Sequence, residues 1–554
     1  MRPLRLAAAQ RATSPAARGR NWWLAPMNAL RGWSGRGLAL LAGAAAGLAH
    51  PPFGLLPGLL GYALLLAVID AGEPRPLRSA FFRGWLGGLG YFAVGTYWIT
   101  EPFMVDAKDQ GWMAPFALVL LSGGLALFWG AAAVLYRALK VRGGAAVLVF
   151  AGCLSGFEWL RGHVLTGFPW DLPGETWRAG SAPSQAAALV GAYGLSWITV
   201  AIASAPAVLA GLAGRKAKVA TLALAAVALA ALYGFGAARL RSAAPPTAGA
   251  PMVRVVQANI DQKNKWRAEN LGTIFSTYVD LTTRKAAVTP AIVIWPEGAL
   301  PAVIDDLIAP GSPYAPRLRD AIAPGQTLLM GANRAERGAD GQTRYFNSLV
   351  AFRREADGLR VTGVYDKHHL VPFGEYMPAA RFATKVGFRA LVHMPDDFSA
   401  GPPSQPMAPW GAPAVQVLIC YEALFPGVTH EGADRAGLRP AWILNVSNDA
   451  WFGQGSGPLQ HLNIASYRAI EEGLPIVRAT PTGVSAVIDA YGRIANGARL
   501  GLGALGVIDA PLPPSLERTV FSRIGDLGFA GLLLLSGLIG LAYRVRPRPS
   551  EGGA

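Results

Sequence analysis

The chain has 554 residues, of which 52% are hydrophobic and 15% are charged, whereas about a quarter of the residues of a soluble protein usually carry a charge. This composition excludes an ordinary soluble protein as a description of the whole chain. The net charge is +16. Because the arginines lie mostly beside apolar segments, this charge favours orientation in a membrane over nucleic-acid binding.

Eight apolar segments are predicted to cross a membrane, although a transmembrane helix needs about 20 residues and several segments are shorter. They are residues 37–49, 54–69, 84–99, 113–135, 144–160, 187–212, 219–236 and 527–543. We therefore predict three units. These are an N-terminal membrane domain with seven transmembrane helices at 1–245, a soluble domain at 250–515, and a C-terminal transmembrane helix with its tail at 520–554.

The basic residues indicate which side of the membrane each loop occupies, because lysine and arginine collect in short cytoplasmic loops. They cluster at 2–36, 75–83, 137–142, 215–218 and 544–548. The loops between these clusters carry Lys108, Arg161 and Arg178. Fusing the first two apolar segments into one span would move the cluster at 75–83 to the outside. The pattern therefore predicts eight spans, cytoplasmic termini and a periplasmic soluble domain.

The two cysteines lie in different regions, Cys153 in an apolar segment and Cys420 in the soluble domain. The soluble domain therefore has no internal disulfide, and Cys420 is either a small buried residue or a nucleophile. The first 34 residues contain arginines and no compact apolar core with a cleavage site, so we expect no removable signal peptide.

Polar residues near the fifth apolar segment, Glu158, Arg161 and His163, are functional candidates because ionisable groups in a membrane are costly. The loop that follows, at 162–185, is expected on the outer side. It contains Phe168, Pro169, Trp170, Asp171 and Trp177. Two interpretations stay open for this loop, contact with lipid and ordinary anchoring at the membrane interface.

From residue 252 the periodicity changes to short β-rich runs separated by helical stretches. The predicted strands are residues 252–260, 291–297, 326–332, 345–352, 359–367, 414–422, 442–448, 475–480 and 484–490. The predicted helices are residues 268–286, 313–323 and 459–471. Nearly continuous apolar strands are typical of a sheet buried on both faces, so this pattern predicts a layered α/β domain.

Three candidate reactive groups directly follow apolar runs in the predicted strands: Glu297, Lys367 and Cys420. Taken singly, they could be a turn residue, an exposed charge and a packing residue. Together they form a chemical set, because a mostly protonated thiol needs a base and a carboxylate can accept its proton. An ammonium group and a backbone N–H can then stabilise the oxyanion that forms on a carbonyl.

Several motifs make a resemblance to a known family specific. They are QANI followed by Trp266, HLVPFGEYMP at 369–378, CYE at 420–422, SNDAWFG at 447–453, and the Gln460-His461 pair. The soluble domain resembles the nitrilase superfamily, and the whole chain resembles its membrane-integrated branch, the bacterial apolipoprotein N-acyltransferases. The resemblance implies a multi-pass α-helical membrane domain of about eight spans with an inserted nitrilase-like αββα sandwich.

The resemblance also implies roles for individual residues. Glu297 falls on the general base, Lys367 on the catalytic lysine and Cys420 on the nucleophile. The supporting or binding positions fall on Glu375, Tyr421, Glu422, Trp266 and Asn347. The family uses no metal or other cofactor, and His368, His369 and His461 lack a convincing ligand spacing. Within SNDAWFG, which is expected to shape a loop near the pocket, Asp449 has a simple interpretation as a turn residue.

The function implied is transfer of an acyl chain from a phospholipid, through a thioester on Cys420, to the N-terminal amine of the S-diacylglyceryl cysteine of an apolipoprotein. This acyltransferase reaction completes lipoprotein biosynthesis. The expected donor is phosphatidylethanolamine, the acceptor is a diacylated apolipoprotein, and no nucleic acid is involved. The implied location is the bacterial inner (cytoplasmic) membrane.

Residues 381–402 mix apolar side chains with glycine and basic residues and have no clear helix or strand pattern. They are expected either to form a mobile arm over the pocket or to be an ordinary surface loop. Two other functions remain open: a membrane-tethered nitrilase-type amidase that acts on a small amide, and a transporter or scaffold. The spans lack the paired charges and internal symmetry expected of a transporter.

Overall fold

The structure is a computed structural model and describes residues 30, 32–71, 75–211, 213–242, 249–356, 358–377 and 397–545. Each of the seven apolar segments predicted in the N-terminal part contains a helix. These helices are α1 (Gly32–Gly47), α2 (Leu60–Asp70), α3 (Pro76–Gly95), α4 (Ala114–Leu139), α5 (Gly144–His163), α6 (Ala187–Ser204) and α7 (Arg215–Arg241). Shorter helical turns connect them at Leu56–Leu59, Tyr97–Met104, Ala107–Gln110, Gly111–Met113, Pro173–Thr176, Pro183–Ala186 and Ala205–Leu209.

Four helical stretches in the described part of the chain are long and apolar enough to cross a membrane. They are Ala107–Leu139, Gly144–His163, Pro183–Leu209 and Arg215–Arg241. The stretches Leu56–Asp70 and Leu527–Tyr543 are apolar but shorter. The N-terminal part is therefore a helical membrane region with four candidate spans, and the count of eight crossings stays a prediction.

Small residues allow the first helices to pack closely. A Cβ atom added to Gly43 of α1 would lie 1.7 Å from the carbonyl oxygen of Gly87 in α3. A Cβ atom added to Gly90 of α3 would lie 2.1 Å from the carbonyl oxygen of Leu40 in α1. Contact between backbones is a usual way for helices to associate in lipid, where the hydrophobic effect does not drive them together. Larger side chains at these two glycines would separate α1 from α3.

The soluble domain contains two sheets. The first has strands β1 (Met252–Gln257), β2 (Ile292–Trp295), β3 (Thr327–Arg337), β4 (Thr343–Glu355), β5 (Gly358–Asp366) and β11 (Gly506–Pro511) in the order β11-β1-β2-β3-β4-β5. The second has β6 (Val415–Ile419), β7 (Trp442–Val446), β8 (Ile476–Ala479), β9 (Ser485–Ile488) and β10 (Ile494–Leu500) in the order β10-β9-β8-β7-β6. Each sheet has three parallel strands, β1-β2-β3 and β6-β7-β8, and its remaining pairs are antiparallel.

The two sheets pack face to face and helices cover both outer faces. Ile294 and Leu329 from the first sheet meet Val417 and Leu444 from the second in one buried cluster. Helices α8 (Leu271–Thr283) and α9 (Tyr314–Ala321) cover the first sheet, and α10 (Val428–Ala436) and α11 (Gly457–Glu472) cover the second. Short helices lie at Gln262–Lys265, Ala268–Asn270, Ile304–Ile308, Cys420–Leu424, Asp449–Phe452 and Val520–Ile524. The domain is thus the predicted αββα sandwich.

All nine predicted strands are present, with most boundaries moved by one to a few residues. The sequence analysis missed β10 and β11, because exposed and half-buried positions interrupt both strands and weaken their apolar pattern. It also missed α10, which has only nine residues. β11 pairs with β1 along its whole length and so joins the end of the domain to its beginning.

The last helix, α12 (Leu527–Val545), returns to the membrane region. Its Ser536 hydroxyl donates a hydrogen bond to the carbonyl oxygen of Leu148 in α5 at 3.0 Å, and it accepts one from the indole of Trp197 in α6 at 2.9 Å. Phe529 of the same helix is buried beside Tyr193. α12 is therefore packed against α5 and α6, although it comes after the whole soluble domain in sequence.

The loop between α5 and α6 lies in the interface between the membrane region and the soluble domain. Trp170 and Asp171 bond the two ends of the Gln460 amide on α11, at 3.2 and 2.9 Å. Asn463 donates to the carbonyl oxygen of Glu175 at 2.9 Å. Trp170 and Trp177 are both buried. For these two tryptophans, the expectation of lipid contact or interfacial anchoring is therefore wrong, because α11 covers the loop; the tip at residues 164–166 is exposed.

The polar residues at the end of α5 stabilise this loop. The Arg161 guanidinium bonds the carboxylate of Glu158 and donates to the carbonyl oxygens of Phe168 and Trp170. Glu158 also accepts a hydrogen bond from the indole of Trp129 at 2.6 Å. These contacts give the buried Glu158 and Arg161 a structural role, since each buried charge has the partner that it requires.

Two buried carboxylates in this interface make the stability of the protein depend on pH. Arg468 lies 2.7 Å from Glu471 and 3.7 Å from Glu175. Burial raises the pKa of Glu175 to about 8 and that of Glu471 to about 7, although the Arg468 charge opposes the shift. Because both values lie above the ordinary 4.5, the stability they contribute is complete below that pH and is lost as the pH rises to about 8.

We therefore expect the unfolding temperature of the detergent-solubilised protein to fall between pH 5 and pH 8. Replacing Glu175 by glutamine removes one titrating group, so the fall becomes smaller. Glu269→Gln, at an exposed position, is the control and keeps the wild-type slope. An unchanged slope in Glu175→Gln would contradict the assignment.

Candidate active site

Three strand ends bring Glu297, Lys367 and Cys420 together. Glu297 follows β2 by two residues, and Lys367 and Cys420 come directly after β5 and β6. The first two belong to one sheet and the third to the other, so the site lies where the facing sheets end at the same edge. Gly331 of β3 allows the backbone of Glu297 to lie against this strand, since a Cβ atom at Gly331 would lie 2.6 Å from the Cα atom of Glu297.

Glu297 is held by hydrogen bonds to both of its carboxylate oxygens. Oε1 accepts from the Asn347 amide at 2.7 Å, and Oε2 accepts from the backbone N–H of Asn448 at 2.5 Å. Only 7% of Glu297 is exposed. A buried carboxylate held in this way has a fixed direction toward its neighbours, which a general base requires.

Lys367 lies between two carboxylates. Its Nζ atom is 2.9 Å from Glu375 and 3.6 Å from Oε1 of Glu297. The second amide hydrogen of Asn347 donates to Glu375 at 2.7 Å, so Asn347 and Lys367 both bridge the two acids. Burial would lower the pKa of Lys367, but the charges of Glu375 and Glu297 outweigh it and the pKa lies above its ordinary value. The lysine is therefore a fixed cation.

Cys420 begins the short helix Cys420–Leu424 immediately after β6 and has a φ of 50°. A non-glycine residue in this left-handed region costs about 1–3 kcal/mol and commonly marks a functional position. Burial, followed by the charge of Glu297, raises the pKa of the thiol, while Lys367 and a hydrogen bond with Ser447 oppose the shift. The thiol is thus protonated at neutral pH and needs a base to react.

Glu422 joins the end of β6 to the turn that follows Lys367. Its Oε2 accepts from the N–H of Ile419 at 2.8 Å. Its Oε1 accepts from the N–H of His368 at 2.9 Å and from the Tyr365 hydroxyl at 2.8 Å. Glu422 is fully buried. It therefore fixes the position of the strand end carrying the cysteine relative to the strand end carrying the lysine.

Replacing Glu422 by alanine leaves these donors without an acceptor. Each buried unsatisfied polar group costs about 1–3 kcal/mol, so we expect the free energy of unfolding to fall by about 3–5 kcal/mol. Glu422→Gln keeps one acceptor oxygen and should have an intermediate effect. Glu431→Ala, at an exposed position of α10, is the control. Denaturant titration in detergent measures the change, and equal stability of Glu422→Ala and the control would contradict it.

The other predicted supporting residues lie around this centre. Tyr421 donates its hydroxyl to the carbonyl oxygen of Gly167 in the interface loop, and its ring lies beside Phe168. Trp266 is half-buried and follows Lys265, whose ammonium group lies 5.7 Å from its ring. Lys265 donates to the carbonyl oxygen of Gly298, next to Glu297. Trp266 therefore borders the loop that carries the base.

Sequence reasoning missed a buried polar chain behind Cys420. His461 contacts the Cys420 carbonyl oxygen through Nε2 at 3.2 Å and Asp449 through Nδ1 at 3.1 Å. Asp449 is fully buried and pairs with Arg478 at 2.6 Å. Burial would raise the pKa of Asp449, but Arg478 and His461 hold it below its ordinary value. Asp449 does lie in a helical turn, Asp449–Phe452, but it is not purely a turn residue, because it is also the centre of an ion-paired chain.

Two further expectations concern a metal site and a mobile arm. Within its described residues, no group of three or more His, Cys, Asp or Glu side chains is arranged to hold a metal ion. The arm predicted at 381–402 lies outside the described residues except for 397–402. There, the N–H of Phe398 donates to the carbonyl oxygen of Glu375 at 2.9 Å.

Comparisons with known proteins agree with this architecture. A family model for the apolipoprotein N-acyltransferase N-terminal domain matches residues 42–205, and one for carbon-nitrogen hydrolase matches residues 252–520. The apolipoprotein N-acyltransferase of Caulobacter vibrioides is 56% identical over 517 residues, 93% of this chain and 96% of the relative. That of Rhodopseudomonas palustris is 37% identical over 534 residues, 94% of this chain and 96% of the relative.

Solved structures are more distant. An amidase from Nesterenkonia sp. AN1, with a covalent adduct at its active-site cysteine, is 17% identical and covers 52% of this chain and 99% of its own, with a TM-score of 0.33. The NitFhit protein of C. elegans is 15% identical and covers 54% of this chain and 65% of its own, with a TM-score of 0.35. On the family models and the full-length relatives, the chain belongs to the apolipoprotein N-acyltransferase family.

Proposed function

We propose that this apolipoprotein N-acyltransferase works by a ping-pong mechanism on Cys420. The observation that carries the proposal is the buried cluster in which Glu297, Lys367 and Cys420 meet, on a chain that also has membrane helices. The first substrate is a membrane phospholipid, with phosphatidylethanolamine as the expected donor. The second is the N-terminal amine of a diacylated apolipoprotein.

In the first half-reaction, Glu297 removes the proton from the Cys420 thiol, and the thiolate attacks the ester carbonyl carbon of the phospholipid. Lys367 and the backbone N–H of Tyr421 stabilise the oxyanion. When the tetrahedral intermediate collapses, the ester C–O bond breaks and Glu297 returns the proton to the leaving oxygen. A lysophospholipid departs and the acyl chain stays on Cys420 as a thioester.

In the second half-reaction, the lipoprotein amine attacks the thioester carbonyl carbon and Glu297 accepts the proton that the amine loses. The C–S bond breaks, an amide forms and the proton returns to the Cys420 thiolate. The same groups therefore act in both halves, as ping-pong chemistry requires. Glu375 and Asn347 keep Lys367 and Glu297 in place throughout, which is supported by their bridging hydrogen bonds.

Attachment to a membrane fits these substrates. Both carry long acyl chains, and moving such chains into water costs about 0.8 kcal/mol per CH₂ group. A site held at the membrane surface avoids this cost. The amidase alternative is not favoured, because the relatives that match nearly the whole chain are named as acyltransferases and the N-terminal family model covers residues 42–205.

We also propose that the site faces the periplasm, with eight spans, both termini in the cytoplasm of a bacterial inner membrane, and domain limits near 245 and 515. The contacts of the loops support this arrangement. The segment after α3 meets the soluble domain through Tyr97, whose hydroxyl accepts from the N–H of Ser456 at 3.1 Å. The loop after α5 meets α11. The basic clusters at 75–83, 137–142 and 215–218 lie at the alternate connections between helices and at the adjoining helix ends, as the positive-inside rule predicts.

Mass spectrometry of the purified full-length protein, digested after the reaction, tests the mechanism directly. After incubation with phosphatidylethanolamine in detergent, the peptide containing Cys420 should gain the mass of one acyl chain. Adding a peptide with an N-terminal S-diacylglyceryl cysteine should remove that mass and produce an N-acylated peptide. Release of ammonia from a small amide without any acyl adduct would instead support the amidase alternative.

A further inference from the structure

A chain of fully buried polar side chains reaches the nucleophile from behind. It runs from Arg478 to Asp449, then to His461, and ends at the carbonyl oxygen of Cys420. Arg478, Asp449 and His461 are each no more than 1% exposed. None of these side chains has a part in the proton transfers proposed above. This row of buried polar side chains therefore requires an explanation of its own.

The contact with Cys420 has a defined direction. A carbonyl oxygen can only accept, so Nε2 of His461 carries the hydrogen in this bond. The other ring nitrogen, Nδ1, lies against Asp449, which the Ser447 hydroxyl and Arg478 also bond. Asp449 is thus fixed on several sides. Its carboxylate holds the ring by accepting a hydrogen from Nδ1, so a ring that makes both bonds carries a hydrogen on each nitrogen.

The geometry of the peptide bond transmits this constraint to the site. In a trans peptide, the C=O and the N–H point in opposite directions. Holding the Cys420 carbonyl toward His461 therefore turns the N–H of Tyr421 away from His461. This N–H lies in the first turn of the helix Cys420–Leu424, where backbone N–H groups have no partner within their own helix.

We infer that His461 is a positioning residue that orients the Cys420–Tyr421 peptide so that the Tyr421 N–H serves as an oxyanion donor beside Lys367. The inference rests on the proposed function, since an oxyanion forms only if a carbonyl is attacked. The inference also explains how Cys420 keeps its left-handed conformation. The hydrogen bond to the carbonyl oxygen holds a backbone conformation that is unfavourable for a residue with a side chain.

A purely structural role for His461 makes a different prediction. In that case the histidine serves to fill space and to satisfy Asp449, and the loss of the bond to Cys420 has no specific effect on chemistry. Two amide side chains separate these possibilities, because an asparagine amide takes the place of Nδ1 and a glutamine amide takes the place of Nε2. His461→Gln keeps a donor toward Cys420, whereas His461→Asn keeps the contact with Asp449 alone.

The experiment measures formation of the acyl adduct on Cys420 in the full-length protein, at saturating phosphatidylethanolamine in detergent micelles. We expect His461→Asn to acylate about 100-fold more slowly, and His461→Gln to stay within about tenfold of the wild type. The concentration of phospholipid at half-maximal rate should change little in both variants. His430→Asn is the matched control, because His430 is another buried histidine that bonds a carboxylate, that of Glu472 at 2.8 Å.

Alkylation of Cys420 by iodoacetamide provides a second readout, since displacement at a saturated carbon forms no oxyanion. His461→Asn should keep the wild-type alkylation rate while it loses acylation. Equal acylation rates in the asparagine and glutamine variants would overturn the inference. So would a parallel loss of acylation and alkylation in His461→Asn, because that result means a damaged site. Failure of the wild type to form any acyl adduct would instead reject the proposed function.

Discussion

Replacing Cys420 by alanine should lower acyl transfer by at least about 10⁴-fold, because removal of a nucleophile eliminates covalent catalysis and leaves only binding and oxyanion stabilisation. Transfer of a labelled acyl chain from phosphatidylethanolamine to a diacylated peptide measures the loss. Cys153→Ala is the control, since the second cysteine lies in α5. It should retain wild-type activity.

Cys420→Ser sharpens this test. A serine hydroxyl is a much weaker acid than a thiol, so Glu297 cannot activate it to the same extent. The variant should therefore give no acyl adduct that neutral hydroxylamine releases, whereas the wild type should. A hydroxylamine-labile adduct in Cys420→Ser would show that the acyl chain is carried by another residue.

Replacing Lys367 by methionine should slow acylation of Cys420 by about 10²- to 10³-fold, because the oxyanion loses its charged partner. Two further effects are expected. Lys367 lowers the pKa of Cys420, so its removal should move the alkylation of the thiol by iodoacetamide to higher pH. It also leaves the buried carboxylates of Glu297 and Glu375 without their shared cation, which should destabilise the protein by about 3–5 kcal/mol.

The pH profile of alkylation and the rate of acylation are measured on the same preparation. Lys263→Met removes the same charge from an exposed position and should leave both unchanged. A wild-type acylation rate in Lys367→Met would reject the role of this lysine. An alkylation profile that does not move, combined with slow acylation, would confine its role to the oxyanion.

Much of the fold could be predicted because its signals are local. Apolar runs of 17 or more residues identify membrane helices, and nearly continuous Val, Ile and Leu runs identify buried strands. All nine predicted strands exist, and each predicted apolar segment contains a helix. The sequence analysis missed β10 and β11 because exposed and half-buried positions interrupt their apolar patterns. The number of membrane crossings also stays open, since several of the apolar helices are too short to be identified as membrane spans by their length.

The sequence by itself determined which reactive groups are present: a base, a cation and a thiol. Glu297, Lys367 and Cys420 each follow a strand, and strand ends at one edge of a sandwich meet. The tertiary structure alone decided how these groups are held. Asn347 bridges the two acids, Glu422 joins two strand ends, and neither contact has a pattern in the sequence, because the partners lie 28 to 54 residues apart.

The same reason applies to the interface loop and to the chain behind the nucleophile. Trp170 looked like a membrane-interface residue because its partner on α11, Gln460, comes 290 residues later. The local pattern indicates only a turn residue at Asp449, because its charge partner, Arg478, lies 29 residues later on β8. A local pattern identifies which residues are buried or polar. Only the packing of distant segments decides which of them meet, and hence that Cys420 is held by a histidine 41 residues away.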